Sequence, residues 1–352
     1  MENCSVVDIF CGVGGLTHGF VKEGFDVIGG IDADDSCEYA FEHNNNSTFY
    51  HARVENVGAE EIRALYADSA GSKRIMVGCA PCQPYSSYTD KDKKEIDGKW
   101  ALLDEFSRLI GETKPDVVAM ENVPRLESFK DGAVFQRFVE NLREVGYSEP
   151  EGSLTYRNVY CPNYGVPQTR RRLVLLASLS GKIDLIEPTH DPDKQTVRNA
   201  INDVEPLDHG EAAQFDPVHK ASQLSDLNLR RIRSSVPGGT WEDWDEELLA
   251  DCHKRASGKS YQSVYGRMEW DKPGPTITTQ FYGYGKGRFG HPEQDRALSL
   301  REGALLQTFP KDYEFVRPGD PVYFKHMGKY IGNAVPVNLG RAIAKSIKRH
   351  FR

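Results

Sequence analysis

Short apolar runs, each closed by a glycine, proline or acid and followed by an amphipathic stretch, restrict the first half of this chain to one kind of architecture. Residues 5–10 read as a buried strand, Gly12-Val13-Gly14-Gly15 turns the chain, and residues 16–23 read as a helix. Strands are expected again at 25–31, 75–77, 116–120 and 173–176, with helices at 34–43, 102–112 and 133–145. Such alternation implies an α/β fold with a mostly parallel, doubly wound sheet covered by helices on both faces. From about residue 183 to 280 the rhythm stops. Pro, Asp and Gly become frequent, as in Ile186-Glu187-Pro188-Thr189-His190-Asp191-Pro192. A helical stripe returns after Pro336, with Val335, Leu339, Ile343 and Ile347 four residues apart and Lys345, Lys348 and Arg349 near the end, where cations suit the helix dipole. This last helix is expected to pack back on the N-terminal sheet. The division expected is a first domain of 1–182 plus 325–352 and a smaller, irregular one of 183–324.

Within that frame two places carry chemistry. The Gly-rich turn after the first strand lets a ligand approach the backbone and meet a helix N-terminus, and Asp32, about 20 residues on, suits ribose hydroxyls. Many βα turns carry glycine for tightness alone. The second place is Gly78-Cys79-Ala80-Pro81-Cys82-Gln83-Pro84-Tyr85-Ser86, directly after the apolar Ile75-Met76-Val77. A thiol there is held at the rim of a sheet, where α/β proteins put their chemistry, although a lone cysteine is more often a small buried hydrophobe. Cys79 and Cys82 form a C-x-x-C. A redox pair would want a helix start where Gln-Pro-Tyr-Ser reads as a loop. A zinc site would want a second ligand pair, and Cys252-His253 is adjacent rather than spaced, so no metal is expected.

Composition narrows the setting. Seven scattered cysteines in 352 residues fit a reducing cytoplasm better than a disulfide framework. No apolar run approaches a membrane span and the first residues lack a signal-peptide pattern, so a cytoplasmic protein without membrane contact is expected. The net charge of −8 does not favour a nucleic-acid partner, yet residues 251–291 carry seven cations and three anions, a local +4. Lys254, Arg255, Lys259 and Arg267 lie there among Tyr261, Tyr265, Trp270, Phe281, Tyr282 and Tyr284. Cations interleaved with aromatics suit a nucleic-acid surface, and equally a solvated face over core aromatics.

The remaining motifs fall in a fixed order: Glu121-Asn122-Val123, Gln168-Thr169-Arg170-Arg171-Arg172, Arg296-Ala297-Leu298-Ser299-Leu300-Arg301-Glu302, Leu306-Gln307-Thr308-Phe309-Pro310 and Ile331-Gly332-Asn333-Ala334-Val335-Pro336. With the Pro-Cys-Gln around Cys82, the chain resembles the cytosine-C5 DNA methyltransferase family along nearly its whole length. The resemblance implies a Rossmann-like methyltransferase domain with a smaller target recognition domain, S-adenosyl-L-methionine as cofactor, and double-stranded DNA as partner. It implies a monomer, and a cognate restriction endonuclease acting separately if the enzyme belongs to a restriction-modification pair. Cys82 would add to cytosine C6, Glu121 would bind N3 and the exocyclic amine, and Arg172 would hold O2, with Arg170 on the same strand face. Arg171 would point the other way, to a surface ion pair. Phe10, Gly12, Gly14, Gly15, Asp32, Pro81, Asn333 and Ala334 would form the cofactor pocket. DNA would be met by Gln83, Ser86, Lys99, Lys254, Arg255, Lys259 and Arg267, and the loop 85–99 would close over a cytosine flipped from the stack.

The resemblance has departures. Arg53 stands where the family has an acid for the adenine, with Glu55 or a backbone group as substitutes; Tyr85 replaces the usual Phe; Lys99 replaces an Arg and its bidentate fork. Two other functions compete. One is tRNA cytosine-C5 methylation, whose Cys-Phe-Thr signature is absent here. The other is a catalytically inactive DNA-binding regulator, against which Cys82, Glu121, Arg170 and Arg172 all stand.

Overall fold

The computed structural model describes residues 4–67, 71–81, 101–255 and 262–352. The chain divides into two compact units, one of Met1–Tyr164, Arg171–Thr189 and Val335–Arg352, the other of Gly165–Arg170 and His190–Ala334. The crossings after Thr189 and Ala334 lie some residues beyond the 182 and 324 read from the sequence, and the short segment 165–170 joins the second unit.

The first unit is built on one seven-stranded sheet. In chain order its elements are β1 (Cys4–Ile9), α1 (Gly15–Lys22), β2 (Asp26–Asp32), α2 (Glu38–Asn45), β3 (Thr48–His51), α3 (Ala59–Ala67), β4 (Lys73–Gly78), α4 (Ala101–Thr113), β5 (Val117–Asn122), α5 (Ala133–Val145), β6 (Leu154–Tyr160) and β7 (Arg171–Ser178). The strand order is β3-β2-β1-β4-β5-β7-β6. The first five strands are parallel, and β7 runs antiparallel to both β5 and β6. Every residue of β5 is buried, as its unbroken Val-Val-Ala-Met run requires of a strand covered on both faces. On one face Val7, Met76 and Met120 pack under Ile62 and Tyr66 of α3, Phe106 and Leu109 of α4, and Phe135 and Phe138 of α5. The sequence reading misses β3, α3 and β6, and it runs α2 together with the 3-10 turn at Asp35–Cys37.

The second unit has little regular structure, as its composition suggests. Its helices are α6 (Val197–Ile201), α7 (Asp226–Ser234), α8 (Leu300–Leu306) and α9 (Phe324–Asn333). Strand pairing there is confined, among the described residues, to isolated bridges such as Pro237 with Arg267 and Gly290 with Ala297. Buried side chains carry the order instead. Arg296 is fully buried and grips Glu302 with two 2.7 Å hydrogen bonds. Glu302 closes a capping box with Ser299 at the start of α8. Arg296 and its neighbours hold the Glu302 carboxyl down at about 2 despite burial, while burial pushes the His291 imidazole down to about 4.

Helix α10 (Val337–His350) returns to the first unit, where it packs chiefly on α1 and also meets the sheet through His350 Nε2, 2.7 Å from the Ser178 hydroxyl at the end of β7. Two glycines permit the approach. A Cβ on Gly19 would lie 2.6 Å from the backbone of Gly340 and Arg341, and one on Gly340 would lie 3.0 Å from the Leu16 carbonyl. Arg341 and Lys345 meet Glu23 at 2.7 and 3.7 Å along the rim. Because the opposing atoms are backbone, Gly19→Ala is expected to destabilise the protein by about 1–3 kcal/mol, as overpacking does. Urea denaturation checks this, and an unchanged midpoint would contradict it.

Candidate active site

Strand order reverses between β1 and β4, the switch point at which ligands enter open α/β sheets from the carboxyl edge. The two chemistry-bearing turns leave the sheet there, side by side, since Ile9 pairs with Gly78 at the ends of their strands. After β1, Phe10 takes a left-handed φ of 65°, and its amide donates to the Ile31 carbonyl at 2.8 Å. A bulky residue held in that region is strain that surrounding structure must enforce, and such strain gathers at functional sites. The Phe10 ring is half-buried and meets Phe106 edge-on, 6.3 Å between centroids. Gly12 (φ 50°) and Gly14 (φ 84°) complete the turn, with open space where a Gly12 Cβ would stand, and Gly15 opens α1. The Gly12 amide donates to Asp32 Oδ2 at 2.8 Å, and the Asp34 amide to Oδ1 at 2.9 Å. The Asp32 carboxylate is thereby fixed at the end of β2, beside the glycine turn.

The second cluster forms where β4, β5 and β7 end. Gly78 pairs with Met120, so the next residues, Cys79 and Glu121, are neighbours. The Cys79 thiol donates to Glu121 Oε2 at 2.9 Å. Antiparallel β7 brings its first residues to the same edge. Glu121 is opposite Val174, so Arg172, two residues earlier, shares its face. Arg172 Nε stands 2.8 Å from Glu121 Oε1, the guanidinium 13% exposed and the carboxylate 2%. That contact is an ion pair not aligned as a hydrogen bond, and Oε1 has no hydrogen-bond partner among the described residues. A nearly dry carboxylate is therefore held by one thiol and one guanidinium. Asn122, also buried, donates from Nδ2 to the Ala80 carbonyl at 3.1 Å. It ties the Cys79-Ala80-Pro81 turn, half-buried at Pro81, to β5. The sequence reading quotes Asn122 in its motif but gives it no task; the strand-end amide was the available signal.

Other expected site residues fall differently. Arg170 precedes β7 and belongs to the second unit, so it does not share a strand face with Arg172. It is buried, and its guanidinium donates to the carbonyls of Ile277 at 3.3 Å and Ala334 at 3.4 Å. Arg171 does turn to the other face, but it lies over the Tyr160 ring at 4.9 Å instead of in the expected ion pair. Gln168 and Gln307, from two of the quoted motifs, bind each other at 2.8 Å. Gln168 also reaches the Leu306 carbonyl and the Ile277 amide, and Gln307 the Ile331 and Ala334 carbonyls. Asn333 is exposed at the end of α9, with Ala334 its half-buried C-cap. Arg267 is not the surface cation expected. It is 5% exposed and donates to the carbonyls of Ile232, Ser235, His291 and Gln294 and to Asp295, so its charge organises the interior of the second unit. Lys254 and Arg255 are exposed, next to a His253 buried by stacking on Trp241 at 4.2 Å. Arg53 is exposed and pairs with Glu55 at 2.8 Å. Cys82, Gln83, Ser86, Lys99, Lys259 and the loop 85–99 lie outside the described residues.

The doubly wound sheet, with a thiol, a carboxyl and a guanidinium at its carboxyl edge, defines a methyltransferase-like class of fold, and the relatives make it particular. Residues 4–349 match the C-5 cytosine-specific DNA methylase family, and the chain belongs to it. It is 55% identical to the type II methylase M.HgiDII of Herpetosiphon aurantiacus over 98% of this chain and 95% of that one. It is 32% identical to the type II methyltransferase M1.BsuMI of Bacillus subtilis over 97% of this chain and 80% of that one. In fold it matches the crystal structure of S. pombe Dnmt2 methyltransferase with a TM-score of 0.61 at 16% identity, over 98% and 99% of the two chains. A prophage-encoded E. coli protein assigned as a DNA modification methyltransferase gives 0.73 at 21%, over 98% and 99%. The chain is accordingly a DNA cytosine-C5 methyltransferase of a family that uses S-adenosyl-L-methionine, and the tRNA-directed and inactive alternatives are not favoured. No helix among the described residues is long and apolar enough to cross a membrane.

One buried group beside the glycine turn has a pH signature. Asp8 of β1 is 1% exposed and accepts from the Thr17 hydroxyl at 2.6 Å, while its Oδ1 has no hydrogen-bond partner among the described residues. Burial, only partly offset by Thr17, pushes its carboxyl up from 3.8 to about 7. A carboxyl raised on folding contributes stability that is fully present below its unfolded value and is lost as pH rises through the folded one. Asp8→Asn, which cannot ionise, should therefore gain stability relative to the parent as pH climbs from 5 to 8. Paired urea titrations across that window check it, and a difference independent of pH would contradict it.

Proposed function

We propose that this enzyme methylates cytosine C5 in a specific duplex sequence, with Cys82 as nucleophile and the first unit as the catalytic, cofactor-binding domain. The observation that carries the reading is the Arg172–Glu121 pair, 2.8 Å apart at the strand edge from which the Cys79-Ala80-Pro81 turn departs, one residue before Cys82 in sequence. Bond by bond, the Cys82 thiolate adds to C6, C5 takes the methyl group as its bond to the cofactor's sulfur breaks and a neutral thioether is left, water takes the C5 proton, and the thiolate is expelled as the 5,6 double bond returns. Glu121 binds N3 and the exocyclic amine and holds a proton at N3 while the adduct exists, and Arg172 fixes Glu121 and meets O2. Cytosine leaves the stack for this chemistry at a cost of a few kcal/mol.

S-adenosyl-L-methionine supplies an electrophilic methyl group when bound. The residues present fit it: Phe10 offers a half-buried ring, Asp32 a carboxylate fixed by two amides, and Gly12 an open approach to the backbone. Gly14, Gly15, Pro81, Asn333 and Ala334 join them in this reading. Arg53 lies in an ion pair with Glu55, which leaves adenine recognition to other groups. The second unit is proposed as the recognition domain, where Lys254 and Arg255 contact phosphates and Arg267 holds the scaffold. Arg170 is proposed to support the reaction by bracing backbone, not by touching cytosine. The enzyme is read as a cytoplasmic monomer acting beside a separate endonuclease.

Methylation sequencing of DNA from cells expressing the chain should give one methylated cytosine context, and Cys82→Ala should abolish it. Unmethylated DNA from the parent, or full methylation by the variant, would contradict the reading. Asp32→Ala should weaken S-adenosyl-L-methionine binding by about 1.5–3 kcal/mol, the size of hydrogen bonds to a charged group. Calorimetric titration showing unchanged affinity would move the pocket elsewhere.

A further inference from the structure

Cys79 is the half of the C-x-x-C that the proposed mechanism leaves idle, and its surroundings give it a task. Its thiol is half-buried at the end of β4, one residue past the last sheet pair, and donates to Glu121 Oε2 at 2.9 Å. The other oxygen, Oε1, has the Arg172 ion pair and no hydrogen bond among the described residues. The two oxygens are thus unlike. Oε2 is an acceptor engaged by a weak but fixed donor, and Oε1 faces the Arg172 guanidinium. We propose that Cys79 is a positioning residue for Glu121: by donating to Oε2 while Arg172 holds Oε1, it fixes the carboxyl's rotation and so the direction from which Glu121 meets the cytosine ring. The inference rests on Glu121 being the group that binds cytosine.

Two physical consequences separate this from mere packing. A donor to the ionised carboxylate favours that form, so removing it favours the protonated acid. The limb of the pH–rate profile that Glu121 sets should then move to higher pH in Cys79→Ala. A hydroxyl can replace the thiol as donor, so Cys79→Ser should restore both rate and profile, although serine is smaller and more polar. A packing role would predict no rescue by serine, with alanine and serine equally impaired.

The test is single-turnover transfer of labelled methyl groups from S-adenosyl-L-methionine to a duplex bearing the methylated context, using the full chain, over a pH series. Cys79→Ala should be slower by roughly three- to ten-fold, as loss of one weak hydrogen bond to a charged group implies. KM for DNA and cofactor should be unchanged, and Cys79→Ser should run at the parental rate. Glu121→Gln is the control for the underlying reading. A Glu121→Gln enzyme as fast as the parent would mean that reading is wrong. An inactive Glu121→Gln beside a Cys79→Ala with parental rate and pH profile would overturn the positioning role alone, as would Cys79→Ser slowed equally with Cys79→Ala. If Cys79→Ala does not fold, the infrared S–H stretch lost in Cys79→Ser decides. A stretch lowered from that of a free thiol supports the hydrogen bond, and an unshifted one overturns it.

Discussion

A carboxylate that is 2% exposed needs a countercharge, and the position of Glu121 makes the rest of the catalytic edge follow from that need. A purely parallel sheet could not supply it from the neighbouring strand, whose first residues would lie at the opposite edge. β7 runs antiparallel to β5 and so delivers Arg172, near its own beginning, to the end where β5 finishes. The same edge receives the exits of β1 and β4 because strand order reverses between them. Chain direction thus brings the glycine turn, the Cys79-Ala80-Pro81 turn and the Glu121–Arg172 pair to one rim. Asn122 and Asp32 then lock the turns to the strand ends through backbone groups, so the rim is held by main chain as much as by side chains.

How much of this can be read from the sequence depends on how local each feature is. The β1-turn-α1 unit, β4, β5 and the last helix are legible because an unbroken apolar run or a four-residue stripe is a local consequence of burial. β3 is four residues long, with one buried position, and β6 is a half-exposed edge strand; neither repeats an apolar pattern. The direction of β7 is not encoded in its own residues at all, since an apolar strand reads the same either way. Among the site residues, Glu121 and Arg172 are legible as types, but the hydrogen bond from Cys79 depends on strand register.

The arginines show the limit most plainly. Arg267 reads as a DNA-facing cation in sequence and Arg170 as a catalytic one, Arg296 appears only within a motif, and all three are buried. Each donates to backbone carbonyls of the second unit, and Arg267 and Arg296 each add a carboxylate, Asp295 and Glu302. A unit with few ladders must satisfy its carbonyls somehow, and a guanidinium with five fixed donors does so economically. Charge counting assigns Arg267 to phosphate because its carbonyl partners lie more than twenty residues away. Lys254 and Arg255 remain as exposed charges beside the Trp241–His253 stack.

The central claim is that the rim holding Glu121 and Arg172 is where cytosine is attacked, by the thiol that follows Pro81. Duplex DNA carrying 5-fluorocytosine in the methylated context traps the attacking residue, because fluorine cannot leave as a cation after methyl transfer. Proteolysis and mass spectrometry of the trapped complex should find the nucleotide on the peptide containing Cys82 and on that sulfur. An adduct on Cys79 or any other residue, or no adduct with S-adenosyl-L-methionine present, would contradict it.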